Sequence, residues 1–164
     1  MEELKTLGAI LAIILIPLLL FLLVIIILQI IGQWKVFKKA GKNGWEAIVP
    51  YYNTWTLIEI SGCKWWYFLI IIGSSLLSFN ISLDLNESSS LSFNILEGIG
   101  TIINYFIMFC INYNIAKRFN KDIFYALGLT LLPFIFYPIL GLGKSEFNND
   151  IKVSPYGIIK EGEI

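Results

Sequence analysis

Leu7 to Ile31 is an apolar run of 25 residues broken only by Gly8, Pro17 and Gln29. At 1.5 Å per residue it makes a helix of about 37 Å, longer than the roughly 30 Å hydrocarbon core of a bilayer. A helix apolar all round must be covered on every side, by protein or by lipid. The run can cross a bilayer with some tilt to spare. A cleaved leader would need a basic start, whereas Glu2, Glu3 and Lys5 are net acidic; the run is also too long for a leader and lacks a small-x-small cleavage site. The run is therefore expected to be a retained helix. Gly8 and Ala12 form a small-xxx-small pair on one face, and Pro17 can kink it.

Three more apolar segments follow: Trp65 to Phe79, extendable to Leu83 or Leu85, then Ile95 to Ile115 and Ile123 to Leu142. Hydrophobic residues make up 57% and charged residues 15% of the chain, against about 45–50% and 25% in soluble domains. These features predict an all-α membrane protein with four transmembrane helices, at about 7–31, 65–83, 95–115 and 123–142. The membrane domain is expected over 1–143, with a polar tail over 144–164 that includes a turn at Ser154-Pro155-Tyr156-Gly157.

Loop charges predict the orientation. Lys35, Lys38, Lys39, Lys42 and Lys64 lie between the first two spans, and Lys117, Arg118 and Lys121 between the last two. The intervening stretch, Asn80 to Asn94, has no basic residue and carries Asp84 and Glu87; it is rich in Ser and Asn and reads as an exposed loop. The positive-inside rule assigns the two basic connections to the cytoplasm, and four spans would then leave both termini outside. All five tryptophans, Trp34, Trp45, Trp55, Trp65 and Trp66, fall in or beside the first connection. They are expected to anchor two short interfacial helical pieces at the membrane surface.

The residue inventory removes much chemistry. There is no histidine, hence no His-based triad, base or metal site. Cys63 and Cys110 are too few for a zinc site or a disulfide framework. Net charge is zero, with no basic excess for nucleic acid. Ser88, Ser89, Ser90 and Ser92 have no lysine beside them for Ser-Lys catalysis, and the glycosylation-type patterns at Asn80 and Asn86 are of a kind frequent by chance. No catalytic constellation and no cofactor site is expected.

The third span carries the most suggestive polar pattern. Glu97, Thr101, Asn104 and Asn112 fall within a sector of roughly 80° on one helix face, with Met108 in the same stripe. Such a face should point into the bundle. It fits either a polar pathway with a proton-sensitive Glu97 or ordinary interhelical hydrogen bonding. Lys35, Lys38, Lys39 and Lys42 beside Trp34 and Phe37 are candidate lipid-headgroup contacts, or a topology signal alone. Asp122 is placed to cap the fourth helix. Pro133 and Pro138 predict a kink that frees backbone carbonyls.

Taken together, Trp34-Lys35-Val36-Phe37-Lys38-Lys39-Ala40-Gly41, Gly44-Trp45, Ile48-Val49-Pro50-Tyr51-Tyr52-Asn53, Trp65-Trp66, Ala116-Lys117-Arg118-Phe119 and the Leu131 to Gly143 stretch resemble an uncharacterised family of small bacterial polytopic membrane proteins. A similar domain precedes the catalytic domain of type I signal peptidases in some bacteria. The resemblance, over about residues 20 to 143, implies a four-helix domain of the bacterial cytoplasmic membrane and supplies no activity or functional residues. Two departures stand out: Cys63-Lys64 precedes Trp65-Trp66 where a proline is expected, and Asn80 to Asn94 looks inserted. The tail is expected to be too short for a peptidase domain.

The leading expectation is thus a non-enzymatic accessory or interaction protein of the bacterial cell envelope, in contact with the bilayer and with a membrane-protein partner or a second copy. An oligomeric small-solute or ion transport or channel subunit is the competing class. An immunity protein against a membrane-active peptide is a third, which no residue signals.

Overall fold

Apolar runs become helices where backbone polar groups can be paired only within the segment. The computed structural model describes residues 2–83 and 90–151, with the side chains of 2–10, 12, 77–83 and 90–97 outside the described set. The described residues are all-helical: α1 (Glu2–Lys39), a 3-10 turn (Gly44–Ala47), α2 (Tyr52–Ser61), α3 (Trp66–Leu83), α4 (Ser90–Arg118), α5 (Ile123–Leu131) and α6 (Pro133–Leu142). Two stretches among them are long and apolar enough to cross a membrane, Ile13–Lys39 and Gly98–Arg118.

The first apolar run lies inside a helix of 38 residues, which continues through the basic cluster to Lys39. It stops at Gly41, whose φ of 77° suits a residue without a Cβ. There the Gly41 N–H donates to the Lys38 carbonyl and the Lys42 N–H to the Phe37 carbonyl, a Schellman ending. The end of α4 repeats the device with Asn120 at φ 56° and Lys121 N–H donating to the Ala116 carbonyl.

α3 runs past Phe79 to Leu83, and α4 starts at Ser90. The Asn80 to Asn94 loop is thereby corrected: helix occupies its two ends, and only 84–89 lies outside the described residues. α3 and α4 run antiparallel, since Asn114 Nδ2 donates to Cys63 Sγ near one end and Ser74 Oγ lies 2.9 Å from Asn104 Oδ1 farther along.

The expected fourth span is the larger correction. Ile123 to Leu142 is not one helix but two, of 9 and 10 residues. At 1.5 Å per residue each reaches only about 15 Å, half a hydrocarbon core. Proline has no N–H and excludes the helical conformation from the residue before it. Accordingly Leu132, at φ −130° and ψ 57°, leaves the helix and Pro133 opens the next. The two halves fold back on each other. In a continuous helix, residues 11 apart are separated by about 16 Å, yet the Tyr125 hydroxyl donates to the Phe136 carbonyl at 3.1 Å and their rings meet edge to face at 5.1 Å.

The hairpin returns the chain to the end it left. The Lys39 ammonium donates to the carbonyls of Leu140 (3.0 Å) and Gly143 (2.6 Å) and lies 6.0 Å above the Phe119 ring. Asn148 N–H donates to the Arg118 carbonyl, and Phe119 packs against Phe147. Residues 140–148 therefore share the end of the bundle that holds Lys39 and Arg118. The start of α1 is about 55 Å of helix away. A single helix over 123–142 would have carried these residues to the opposite end of the bundle; the break at Pro133 returns them instead.

α6 lies along α1 in parallel, and the two approach at Gly32, where a Cβ would run into the backbone of Tyr137 and Pro138. The core at this end holds Val36, Phe37, Ile111, Ile115, Ala116, Phe119, Leu129 and Leu140, all 2% exposed or less. The outer part of α1 has no such cover: from Ile13 to Leu23 its large apolar side chains are 48–71% exposed.

Candidate functional site

α1 packs on α6 and the 3-10 turn, whereas α4 packs on α3, α5 and α2. The opposed faces of α1 and α4 leave a cavity of about 410 Å³ between them, closed on one flank by the α5–α6 hairpin and carrying Leu57 of α2 in its lining. Gln29 and Gln33, one turn apart on α1, face Thr101, Asn104, Met108 and Asn112 of α4 across it. Three of the four residues of the polar face, Thr101, Asn104 and Asn112, thus line one cavity. The side chain of Glu97 lies outside the described residues.

Exposure falls along α4 from mouth to interior. Thr101 and Tyr105 are exposed, Asn104 is half-buried and Asn112 is 1% exposed. The 11 residues from Thr101 to Asn112 correspond to a depth of about 16 Å. The mouth points away from the basic end.

The inner wall is fully paired. The Tyr137 hydroxyl donates to Asn112 Oδ1 at 2.7 Å, Asn112 Nδ2 donates to Thr130 Oγ1 at 3.1 Å, and the Thr130 hydroxyl donates to the Ala126 carbonyl. One amide of α4 thereby fastens both arms of the hairpin. The middle of the cavity is different. Gln33 is 5% exposed and accepts from Asn53 Nδ2 at 2.7 Å through Oε1, leaving Nε2 unused. Asn104 has one end of its amide held by Ser74. The side chains of Gln29 and Thr101 make no hydrogen bond with the described residues.

The four candidate headgroup lysines separate into two pairs. Lys35 and Lys38 are exposed, whereas Lys39 caps the carbonyls at the end of α6 and Lys42 pairs with Glu59. Lys39 and Lys42 are thus structural contacts first, made to residues far along the chain. Asp122 stands at the N-cap of α5, but its side chain makes no capping hydrogen bond; its backbone carbonyl accepts from Tyr125 and Ala126. Of the tryptophans, Trp34 packs against Gly44, Trp45 stacks on Tyr52 at 5.4 Å, Trp55 meets the edge of Phe68 at 5.3 Å and Trp66 stacks on Tyr67 at 4.3 Å. Trp65, 62% exposed, is the most open of the five. The turn expected at Ser154 to Gly157 and the serines 88 and 89 lie outside the described residues.

Glu46 is a site that sequence reasoning passed over. It is 5% exposed, with Thr56 Oγ1 donating to Oε2 at 2.8 Å and the side-chain and backbone nitrogens of Asn43 donating to Oε1. The carboxylate ties the 3-10 turn to α2, which floors the cavity through Leu57. Its signal was present as Asn43 three residues before an acid, a capping-box spacing. Cys63, half-buried between α2 and α3, has its thiol pushed above the usual range by burial, opposed by hydrogen bonds from Ser61 and Asn114 and by the charge of Arg118.

Fold and cavity define the class: an α-helical protein with helices long enough to cross a membrane and, between them, a hydrogen-bonding cavity with no charged side chain among the described residues of its lining. The chain belongs to a family of unknown function, DUF5684, whose model matches residues 45–150. That stretch covers most of the 3-10 turn and α2 through α6, with α1 preceding it. No curated protein and no solved structure matches the chain.

Proposed function

We propose that the chain is a small integral protein of the bacterial cytoplasmic membrane that works by binding within the bilayer, as a non-enzymatic accessory of a cell-envelope complex. α1, α3 and α4 are read as three crossings and α5–α6 as a re-entrant hairpin. The basic end, with Lys38, Lys64, Arg118 and Lys121, then faces the cytoplasm. In this arrangement the start of α1 is outside and the end of α6 inside.

The observation that carries the binding role is the cavity lining of Gln29, Gln33, Thr101, Asn104 and Asn112. Amides and hydroxyls recognise and orient without exchanging protons near neutral pH. The resemblance to a domain that precedes signal peptidases supports an export or envelope setting. A photocrosslinking residue at Leu19, on the uncovered part of α1, tests the accessory role in living cells. Recovery of a defined envelope protein is the expected result; crosslinks to lipid alone would contradict it.

One observation favours a transport subunit as a second reading: two half-length helices meeting beside a polar cavity, a device by which transporters build sites at the membrane midplane. Solute or ion flux through vesicles holding the purified chain would favour transport, and tight vesicles the accessory reading.

A further inference from the structure

We propose that the cavity between α1 and α4 binds a neutral lipid of the glyceride type, with hydroxyl and ester oxygens in its polar part and an acyl chain. The inference rests on the membrane-embedded binding role above and names its ligand.

Charge is the first discriminator. No Asp, Glu, Lys or Arg is among the described residues lining the cavity. A phosphate headgroup entering it would leave water without meeting a counter-charge among the described residues, a cost far above that of a neutral polar group. Its hydrogen-bonding capacity is the second. The buried Gln33 amide is fixed by Asn53 and keeps Nε2 for the cavity. One end of Asn104, the whole Gln29 amide and the Thr101 hydroxyl add further donors and acceptors. This set matches hydroxyls, which both donate and accept, together with carbonyl oxygens, which only accept. Leu57 and Met108 supply apolar wall between these groups. A buried amide with half its capacity unused is a specificity device, since an occupant lacking a polar partner leaves it unpaired.

Shape is the third. About 410 Å³ falls within the roughly 300–1,000 Å³ of small-molecule sites. It suits a glycerol head with the start of one chain, not a whole two-chain lipid. At the mouth, Tyr105 of the lining is 60% exposed and its neighbour Ile102 is 70% exposed, an apolar seam on α4 that continues from the cavity. The rest of an acyl chain can lie along that seam.

The test uses the full chain in phosphatidylcholine vesicles, with a diazirine-bearing monoacylglycerol and a phosphatidylglycerol probe of the same chain length. Labelled residues are mapped by mass spectrometry. Monoacylglycerol is expected to label residues 26–33 and 101–112 well above phosphatidylglycerol. The double variant Gln29→Leu/Thr101→Val removes groups that bond to nothing in the described fold, and should lower cavity labelling about tenfold through two lost hydrogen bonds. Met108→Trp, which fills the space, should do the same. Equal labelling by both probes, or labelling untouched by both variants, overturns the proposal. Flotation of the vesicles separates the two levels: a chain that floats but is not labelled in the cavity sinks the ligand alone, whereas a chain that does not float sinks the membrane role as well.

Discussion

Tyr137 on α6 donates its hydroxyl to Asn112 on α4 across 2.7 Å, with the two side chains 2% and 1% exposed. This bond, with the one from Asn112 to Thr130, holds both arms of the α5–α6 hairpin to a single amide. The hairpin in turn walls the cavity.

Tyr137→Phe leaves Asn112 Oδ1 buried without its donor and should destabilise the protein by about 1–3 kcal/mol, read as a lowered midpoint of detergent unfolding. Asn112→Leu should cost at least as much. In the double variant the losses should not add, with a coupling of about 0.5–3 kcal/mol. Additive losses would show that the two groups do not act together.

Gly32 allows α1 and α6 to touch. Gly32→Leu drives a side chain into the Tyr137–Pro138 backbone, and overpacking of this kind costs about 1–3 kcal/mol or more. Gly73→Ala is the matched control, because a Cβ there meets nothing within 4 Å. It should be neutral or stabilising by up to about 1 kcal/mol through helix propensity. A similar fall in thermal stability for both variants would refute the close approach.

Glu46 joins the connector to α2. Glu46→Ala should loosen this joint by about 1–3 kcal/mol, since the buried Thr56 hydroxyl loses its acceptor. Glu46→Gln, which keeps an acceptor, should recover part of that loss. Faster proteolysis between Gly44 and Tyr52 in the Ala variant is the expected readout, and an unchanged cleavage rate would count against the joint.

Cys63 sits in a place that favours its neutral thiol. In a Cys110→Ala background, iodoacetamide should modify it more slowly in the folded than in the unfolded chain near pH 8, the difference shrinking as pH rises. The sign for stability follows. The folded chain holds the thiol proton more tightly, so the contribution is intact below the ordinary thiol value of about 8.5 and is lost as pH climbs through the raised one. Equal rates at pH 8 would contradict the burial.

Much of this arrangement is legible in residue order. Leu7–Ile31 and Ile95–Ile115 announce long helices by the length of their largely apolar runs, and Thr101, Asn104 and Asn112 share a face by helical spacing. The partners of Asn112 are not legible, because Tyr137 and Thr130 come from two other elements and look like ordinary residues of an apolar run. Pro133 signals a break, but no polar turn accompanies it in Leu131-Leu132-Pro133, so the fold-back resembles the middle of a span. Lys39 reads as one of a headgroup cluster because its carbonyl partners stand more than 100 residues away. Glu46 is passed over because only the fold brings Thr56, ten residues on, against it.

The central claim is that 123–142 enters and leaves on one side, bringing residues 140–148 back to the basic end. It is tested by single cysteines at Asn149 and Lys64, both exposed positions, in a chain whose Cys63 and Cys110 are replaced by alanine. With an impermeant maleimide applied to intact spheroplasts, neither Asn149→Cys nor Lys64→Cys should react, and both should react once the membrane is opened. Labelling of Asn149→Cys from outside, with Lys64→Cys still protected, would mean that the segment crosses the membrane and would contradict the hairpin.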